Sequence, residues 1–498
     1  MSDLDKINDQ IDSNIQGKLF SGSFLMMLTR FGVKSIGLVS IIILARLLAP
    51  EDFGLIAMAT AVYGFIELFS SFGLNTVLIQ RKSTSNDDYN TAWTFKLLFG
   101  IITAVLLVLI APYAAFYFDD PRLKNLIYLI SITALFNGFS NVGIINFQKD
   151  LNFRKEMKFQ IIPKFINFFV IISLAFTLRN YWALAIGIVF GSFISFIASY
   201  LMHPYRARLS LKSARSLMSF SKWLIVNNAL TYAGDKLISL VIGRMLGASS
   251  VGFYSMTNEI ASIPTVEIAA PINKASFPVY SKLQDNDAQL RNAYLNTISL
   301  SSSITMPAAV GIALIAPYLI AVALGDTWME AVFLMQILAL TSFFSSLYSN
   351  INYIYTAVGR PKVCFFFGVV KIISIYTLIY FLTPMYGVEG IGFSLFITSI
   401  LMFACSQLTL KRSIGLSINS LGLAILRPTL STIIMCIAIS LFLSEVNLSN
   451  LAKLIIAIAI GVIAYSLTSI IVWKLQGKPI GIEHKILSVS KSLWAKYR

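Results

Sequence analysis

The stretch Gly243–Thr257, "GRMLGASSVGFYSMT", repeats the pattern of an earlier stretch, Ala45–Ala59, "ARLLAPEDFGLIAMA", which lies 198 residues upstream. Four positions are identical at this offset: Arg46 and Arg244, Leu48 and Leu246, Gly54 and Gly252, and Met58 and Met256. Small residues also match, Ala45 with Gly243 and Ala49 with Gly247. The similarity predicts two copies of one structural unit. The alternative is that tight turns between any two packed helices contain similar small residues.

The composition predicts an all-α, polytopic membrane protein. Of 498 residues, 57% are hydrophobic and 12% are charged, against roughly a quarter charged in soluble domains. Apolar runs long enough to cross a hydrocarbon core of ~30 Å recur along the whole chain. We predict fourteen spans, at about 23–48, 54–80, 91–117, 125–147, 158–178, 181–201, 223–246, 250–272, 293–324, 330–357, 361–382, 386–410, 421–443 and 450–473.

Cysteine and histidine do not indicate a catalytic or metal site. Cys364, Cys405 and Cys436 all lie inside apolar runs, so we expect neither a disulfide framework nor a metal. The two histidines, His203 and His484, are far apart in the sequence. We therefore expect no metal and no histidine-based catalysis.

The distribution of Lys and Arg predicts the orientation of the spans. One set of alternate connections, with both termini, contains 26 Lys and Arg residues, whereas the opposite set contains only Arg122, Lys124 and Arg179. The positive-inside rule places the basic set and both termini in the cytoplasm, which requires an even number of spans. The first 22 residues are polar and acidic and lack the order of a cleaved signal. The net charge of +16 is then explained by topology and by affinity for membrane lipids, without nucleic-acid binding.

The repeat predicts the domain organisation. Its two copies join spans 1 and 2 and spans 7 and 8, so six-span units recur in parallel orientation, which is a common plan of transporters that work by alternating access. Two further spans follow the second lobe. The predicted segments are a cytoplasmic N-terminal segment (1–22), an N-lobe (23–201), a basic cytoplasmic linker (202–222), a C-lobe (223–412), spans 13 and 14 (413–473) and a basic cytoplasmic tail (474–498).

Several motifs resemble one transporter family. The second half contains "GDKLISLVIGRMLGASSVGFYSMTNEIASIPT", "FPVYSKLQDN", "LRNAYL", "LGDTWMEAVFLMQILAL" and "AVGRP", and the first half "FGLNTVLIQRK" and "INFQKDLNFRKEM". In this order they resemble the polysaccharide-exporter branch of the multidrug/oligosaccharidyl-lipid/polysaccharide (MOP) flippase superfamily, and more narrowly the Wzx-type exporters of the colanic-acid kind. The resemblance covers about residues 20–415.

This resemblance implies a MATE-like fold and a function. Members flip undecaprenyl-pyrophosphate-linked oligosaccharide repeat units from the inner to the outer leaflet of the bacterial cytoplasmic membrane. The units serve the biosynthesis of surface polysaccharide, namely capsule, exopolysaccharide or the O-antigen of lipopolysaccharide. The resemblance also implies possible partners, a polysaccharide polymerase and a chain-length regulator.

Charged residues deep in the apolar runs are candidates for the transport site, because each costs ~2.5–3.5 kcal/mol near the bilayer centre. The cations are Arg30, Lys34, Lys236 and Lys371, which we predict to bind the substrate. The acids are Glu67, Asp235, Glu259 and Glu267, which we predict to couple an ion or to balance charge. Arg and Lys suit a pyrophosphate in a cationic central cavity. The alternative is that these residues neutralise one another as buried pairs.

The remaining intramembrane cations have simpler explanations. Lys96, Lys164 and Arg427 lie within about six residues of predicted cytoplasmic ends, where long side chains can reach the headgroups. Arg46 and Arg244 lie at predicted outer ends of spans 1 and 7. Together with Gly54 and Gly252 we assign them to the interlobe turns, which join spans 1 and 2 and spans 7 and 8.

The sequence limits the energy source and the range of possible functions. It contains no GxxxxGK[ST] phosphate loop, so we expect no ATP hydrolysis and no cofactor. The membrane potential or coupling to H⁺ or Na⁺ remains as the driving force. An enzyme is disfavoured because every predicted outer connection is short. A multidrug or organic cation antiporter of the same superfamily and a lipid II flippase are the competing functions.

Overall fold

The computed structural model describes residues 3–68, 77–79, 81, 84–215 and 222–476, and all regular secondary structure in these ranges is helical. By length and composition, ten of the described helical segments could cross a membrane. They become eleven if one pair of helices, bent by 67°, forms a single span. The protein is therefore an integral membrane protein, as predicted. The predicted tail at 474–498 lies beyond the described residues except for Lys474, Leu475 and Gln476.

The first part of the chain forms six long helices: α1 (Asp3–Leu47), α2 (Pro50–Leu68), α3 (Asn86–Phe118), α4 (Arg122–Phe139), α5 (Phe153–Leu178) and α6 (Tyr181–Met202). Two short helical segments, Val142–Ile145 and Asn146–Lys149, continue α4 after the 67° bend. Local sequence sets the ends of these helices. Ser85 and Asp88 form a reciprocal capping box at the start of α3.

The second part forms eight further helices: α7 (Lys222–Asp235), α8 (Leu237–Ala261), α9 (Ala270–Lys282), α10 (Asp287–Ala323), α11 (Val332–Ala357), α12 (Pro361–Ile414), α13 (Ile418–Glu445) and α14 (Asn450–Leu475). A π-helical segment, Pro264–Ala269, precedes α9, and a 3₁₀ segment, Asp326–Ala331, precedes α11.

Two glycines interrupt long helical segments. Gly247 divides α8 at φ 78° and ψ −178°, and Gly387 divides α12 at φ 56° and ψ −134°. These angles are open almost only to glycine. Gly247 lies between the predicted spans 223–246 and 250–272, and Gly387 lies one residue inside the predicted start of span 386–410.

The described residues divide into two compact units between Gly252 and Phe253. In the first unit α1 packs on α5, α3 on α4 and α5 on α6, while α2 contacts α3, α4, α6 and α7. Small residues permit this close packing, since Ala175 and Ala183 are fully buried in one cluster with Leu44 and Leu184. This unit therefore includes α7, which lies beyond the predicted N-lobe.

The second unit is organised around α11. This helix packs between α10 and α12, while α13 and α14 pair with each other and both contact α10. Its interior contains satisfied polar groups. Asn350 Nδ2 donates to Asn273 Oδ1 at 2.7 Å, and Tyr280 donates to Asn350 Oδ1 at 3.0 Å. These bonds join helices α9 and α11, since polar side chains buried between facing helices satisfy one another.

Candidate functional site: the repeated turn and the intramembrane charges

The two copies of the repeated stretch break the helix at equivalent positions. In the first copy the chain leaves the helical conformation at Leu48 and Ala49, between α1 and α2. In the second copy the break is at Gly247, which is 198 residues after Ala49. Gly54 and Gly252, predicted in the turns, lie about one helical turn beyond these breaks. The similar residues of the two copies therefore correspond to a similar break in the helix.

Gly54 and Gly252 make a reciprocal contact. A Cβ atom added to Gly54 would lie 1.7 Å from the carbonyl oxygen of Ala248, and one added to Gly252 would lie 1.8 Å from that of Pro50. Pro50 and Ala248 are themselves separated by the repeat offset. The two copies thus touch through the same pair of positions, as an isologous contact does. Only glycine permits this approach.

Arg46 and Arg244 lie at equivalent positions of the repeat. Both are exposed, Arg46 in the last turn of α1. The Arg244 guanidinium carbon lies 5.7 Å from the centre of the Tyr117 ring, within range of a cation–π contact. Nearby, Gly243 faces Met58 and Phe118. Arg244 therefore helps to attach α8 to α3 in addition to marking a turn.

Charged residues tie together the connections at the predicted outer end of the first unit. Arg122 pairs with Glu51 at 2.5 Å and with Asp120 at 2.7 Å. Burial raises the pKa of Asp120, but the hydrogen bonds and charge of Arg122 outweigh it and hold the pKa below the usual value. Asp52 accepts hydrogen bonds from the backbone N–H groups of Ala49 and Tyr181 at 2.9 and 2.8 Å. The turn of the first copy is therefore fixed.

Arg30 and Lys34 lie one turn apart on α1, with Arg30 exposed and Lys34 half-buried. Gly32, midway between them, faces Ile161 of α5, at 3.6 Å from a Cβ built on this glycine. Residues two positions away on a helix point to the opposite side. Both cations therefore leave α1 on the side opposite Gly32.

Asp235 and Lys236 lie at an interruption between α7 and α8. Both are exposed, and Lys236 has left the helical conformation. Among the described residues, the Lys236 ammonium group has no hydrogen-bond or ion-pair partner. Sequence predicted Lys236 in the middle of a continuous span. The interruption resembles the broken helices on which transporters position ionic ligands.

The remaining predicted residues belong to the second unit. Lys371 is half-buried in α12, between Pro361 and Gly387. Glu259 is half-buried near the end of α8, and Glu267 is half-buried in the π-helical segment. Single-turn π segments occur frequently at functional sites. Within the described part of the chain, no group of three or more His, Cys, Asp or Glu side chains could hold a metal ion.

Two runs of hydrogen bonds, one from Glu67 and one from Lys96, meet at Asn137. Tyr63 donates to Glu67 Oε1 at 3.3 Å, and Asn137 Nδ2 donates to the Tyr63 hydroxyl at 3.2 Å. Lys96 Nζ donates to Ser140 Oγ at 2.5 Å. Lys96 is thus held inside the first unit, whereas sequence predicted that it would reach toward the headgroups. Asn137 and Ser140 had no distinguishing sequence signal, because isolated Asn and Ser residues are common in helices.

A cavity of about 650 Å³ opens between α10, α13 and α14. Its lining is almost entirely apolar and includes Pro307, Gly311, Met435 and Gly461. The Tyr465 hydroxyl donates to the Ser303 carbonyl at 2.6 Å and joins α14 to α10. The cavity can accept a hydrocarbon chain but offers few partners to a polar ligand.

Comparison with known structures identifies the fold. The chain is similar to lipid II flippase MurJ in its inward closed conformation, with a TM-score of 0.73, 16% identity and coverage of 91% of this chain and 99% of that one. It is also similar to an inward-facing MATE multidrug transporter of the MOP superfamily, with a TM-score of 0.58, 16% identity and coverage of 76% and 95%. The fold is therefore the MurJ/MATE type, as the sequence motifs implied.

Sequence comparison identifies the family. The model of the family described as "Polysaccharide biosynthesis protein" matches residues 43–333, and the chain belongs to this family. Over 442 residues it is 24% identical to the lipopolysaccharide biosynthesis protein WzxC of Escherichia coli K12, with 86% of this chain and 89% of that protein covered. It is 22% identical to the succinoglycan biosynthesis transport protein ExoT of Rhizobium meliloti, with 70% and 71% covered. The resemblance that the motifs indicated is confirmed.

Proposed function

We propose that this protein is a flippase for lipid-linked oligosaccharides and not an enzyme. The observation that carries the proposal is its membership of the polysaccharide biosynthesis family together with basic residues deep in apolar helices. Relatives of similar length are named for lipopolysaccharide biosynthesis and for succinoglycan transport. The substrate is an undecaprenyl-pyrophosphate-linked repeat unit that moves from the inner to the outer leaflet of the bacterial cytoplasmic membrane.

Arg30, Lys34, Lys236 and Lys371 bind the pyrophosphate in this mechanism. The planar guanidinium group of Arg30 can form paired hydrogen bonds with phosphate oxygens, and the lysines supply point charges. Lys236 is exposed at a helix interruption, so its ammonium group is available to an incoming anion. Glu67, Asp235, Glu259 and Glu267 balance these charges when no substrate is bound.

The lipid tail of the substrate occupies the apolar cavity between α10, α13 and α14. A polyprenyl chain remains in a hydrocarbon environment there while the polar headgroup crosses. The two predicted spans that follow the repeated lobes contribute most of this surface through Met435, Ala457 and Gly461. These two spans thus hold the lipid tail, whereas the lobes bind the headgroup.

The protein has fourteen spans and both termini in the cytoplasm. Each 54-residue helical segment would extend about 80 Å if straight, more than twice the hydrocarbon thickness. Each therefore counts as two spans, divided at Gly247 and at Gly387. With α2 and the bent α4 as one span each, the ten candidates become fourteen. Alternating access between two lobes is driven by the membrane potential or by H⁺ or Na⁺.

Transport in liposomes tests the proposal. The purified protein is reconstituted with a fluorescent glycosyl-pyrophosphoryl-polyprenol, and dithionite in the medium quenches the label in the outer leaflet. Protein-containing vesicles are expected to expose the inner-leaflet pool, whereas vesicles with a heat-inactivated protein should retain about half of the signal. The same assay with a fluorescent organic cation tests the antiporter function. Transport of the cation alone would contradict the proposal.

A further inference from the structure

We propose that Lys96, Asn137 and Glu67 form a loading site for a sugar phosphate in the first unit, with the phosphate at Lys96 and sugar hydroxyls at Asn137 and Glu67. The inference rests on the proposed function and extends it to a site that sequence analysis did not identify. Its basis is a series of hydrogen-bonded residues on three helices. Lys96 bonds Ser140, which bonds the Asn137 backbone carbonyl, and the Asn137 side chain bonds Tyr63, which bonds Glu67.

The cationic end of the site is held at the break after α4. Lys96 Nζ donates to Ser140 Oγ at 2.5 Å, and the Ser140 hydroxyl in turn donates to the Asn137 carbonyl at 2.9 Å. A lysine ammonium group has three N–H donors. In the part of the chain that the structure describes, Ser140 is the sole hydrogen-bond partner of the Lys96 ammonium group, and no carboxylate pairs with it. A half-buried ammonium group with one neutral partner favours binding of an anion.

Close contact between two helices gives Lys96 this position. Gly100 of α3 and Gly138 of α4 lie so close that a Cβ on Gly100 would be 2.8 Å from the Gly138 Cα. The backbone around the break is fixed as well. The Phe139 carbonyl accepts hydrogen bonds from Trp93 Nε1 at 3.4 Å and from the Tyr200 hydroxyl at 2.9 Å. Ser140 is therefore held in a fixed position as the hydrogen-bond acceptor of Lys96.

The acidic end of the site has free acceptors. Tyr63 donates to Glu67 Oε1, and Asn137 donates to Tyr63. Among the described residues, Glu67 Oε2 and Asn137 Oδ1 have no hydrogen-bond partner, and both side chains are exposed. Carboxylate and amide oxygens accept hydrogen bonds from sugar hydroxyls. The series therefore presents an anion-binding group at one end and hydroxyl-binding groups at the other, as a glycosyl phosphate requires.

The depth of the site suits loading from the inner leaflet. Lys96 lies about 15 Å along α3 from Asn86, and Glu67 lies about 25 Å along α2 from Pro50. Because α3 begins and α2 ends on the predicted cytoplasmic side, both residues are nearer to that side than to the outer turns. A headgroup from the inner leaflet would therefore reach Lys96 before it reached the repeated turn.

Binding of two soluble probes to the full-length protein in nanodiscs tests the proposal. Farnesyl pyrophosphate carries the anion alone, and farnesyl-pyrophosphoryl-N-acetylglucosamine carries the anion and a sugar. Lys96→Met should lower the affinity for both probes by about tenfold or more, and Lys96→Arg should restore most of that affinity. Glu67→Gln should lower the affinity for the glycosylated probe only. Lys164→Met is the matched control, because Lys164 is exposed at a similar depth in α5 and should not change binding.

Two results would overturn the inference. The first is wild-type affinity of Lys96→Met for both probes, measured per folded protein by size-exclusion chromatography. The second is an equal loss for both probes in Glu67→Gln. Ser140→Ala removes the hydroxyl that holds Lys96 and keeps the charge of Lys96. It should therefore lower the affinity for the anion less than Lys96→Met does. Failure of the proposed function has a different signature, because the wild-type protein itself would then not move the labelled lipid in liposomes.

Discussion

Gly54 and Gly252 each lie against a backbone carbonyl of the other copy of the repeat, at Ala248 and Pro50 respectively. We expect Gly54→Ala and Gly252→Ala to separate α2 from α8, because the added methyl group would overlap these oxygens. Overpacking costs ~1–3 kcal/mol, and both variants should lose most export. The measurement is polysaccharide export together with thermal stability in detergent.

Gly37→Ala is the control for these variants. A Cβ on Gly37 meets nothing within 4 Å, and alanine is the better helix former. Normal export by Gly54→Ala at normal abundance would show that the contact is not needed for transport.

The four predicted substrate cations should behave alike. We expect Arg30→Gln, Lys34→Gln, Lys236→Gln and Lys371→Gln each to reduce substrate affinity by roughly ten- to a hundredfold, because a charged hydrogen bond contributes about 1.5–3 kcal/mol. Lys164→Gln, with an exposed side chain on α5, should leave affinity unchanged. Undiminished export by all four variants, at normal membrane abundance, would favour buried charge pairs as the role of these residues.

The apolar cavity should determine the response to lipid length. Gly311 lines the cavity, and a Cβ at this position meets nothing within 4 Å. Gly311→Leu should therefore fold normally while it occupies space otherwise open to the tail. In liposomes the variant should slow the transport of a substrate with a C55 lipid several-fold more than the transport of a C15 analogue. Gly422→Leu, also free of neighbours but outside the cavity, is the control, and equal slowing of both lengths would argue against a tail site.

Cysteine labelling should establish the orientation. In a background with Cys364, Cys405 and Cys436 replaced by Ser, Asp326→Cys and Asn447→Cys should react with an impermeant reagent added to intact cells. Gln284→Cys should react only after lysis, and all three positions are exposed. The reverse pattern would contradict cytoplasmic termini.

Stability should fall as the pH is lowered through the histidine range because of His203. Its Nδ1 accepts the Tyr205 N–H at 3.2 Å, so the ring is neutral with the proton on Nε2. Burial lowers the pKa of His203, and Lys155 and Arg206 lower it further against the opposing charge of Asp150. The folded state therefore binds fewer protons than the unfolded state between the lowered pKa and the ordinary value of about 6.5. Stability is fully present above this window and decreases on acidification through it.

Thermal unfolding in detergent between pH 7.5 and pH 5.5 measures this effect. His203→Gln retains a side-chain acceptor but cannot be protonated, so its melting temperature should vary less with pH than that of the wild type. An identical pH dependence of the two proteins would assign the effect to other groups.

The sequence by itself determined the class of protein, the repeat and the family. Span hydropathy is a local property that can be read in windows of ~20 residues. The repeated stretch also predicted where the chain breaks, since Ala49 and Gly247 each follow small or apolar residues at the end of a helix. At Gly247 local sequence sufficed because a positive φ is a local requirement that glycine meets.

Only the tertiary structure decided which distant residues meet. Lys96 and Ser140 are 44 residues apart, and Tyr63 and Asn137 are 74 apart. Their pairing depends on the packing of α2, α3 and α4, which no helical period encodes. Sequence predicted that Lys96 would reach the headgroups because a long side chain near a helix end usually can. The structure places it at Ser140, because the approach of Gly100 to Gly138 brings a neighbouring hydroxyl within its reach.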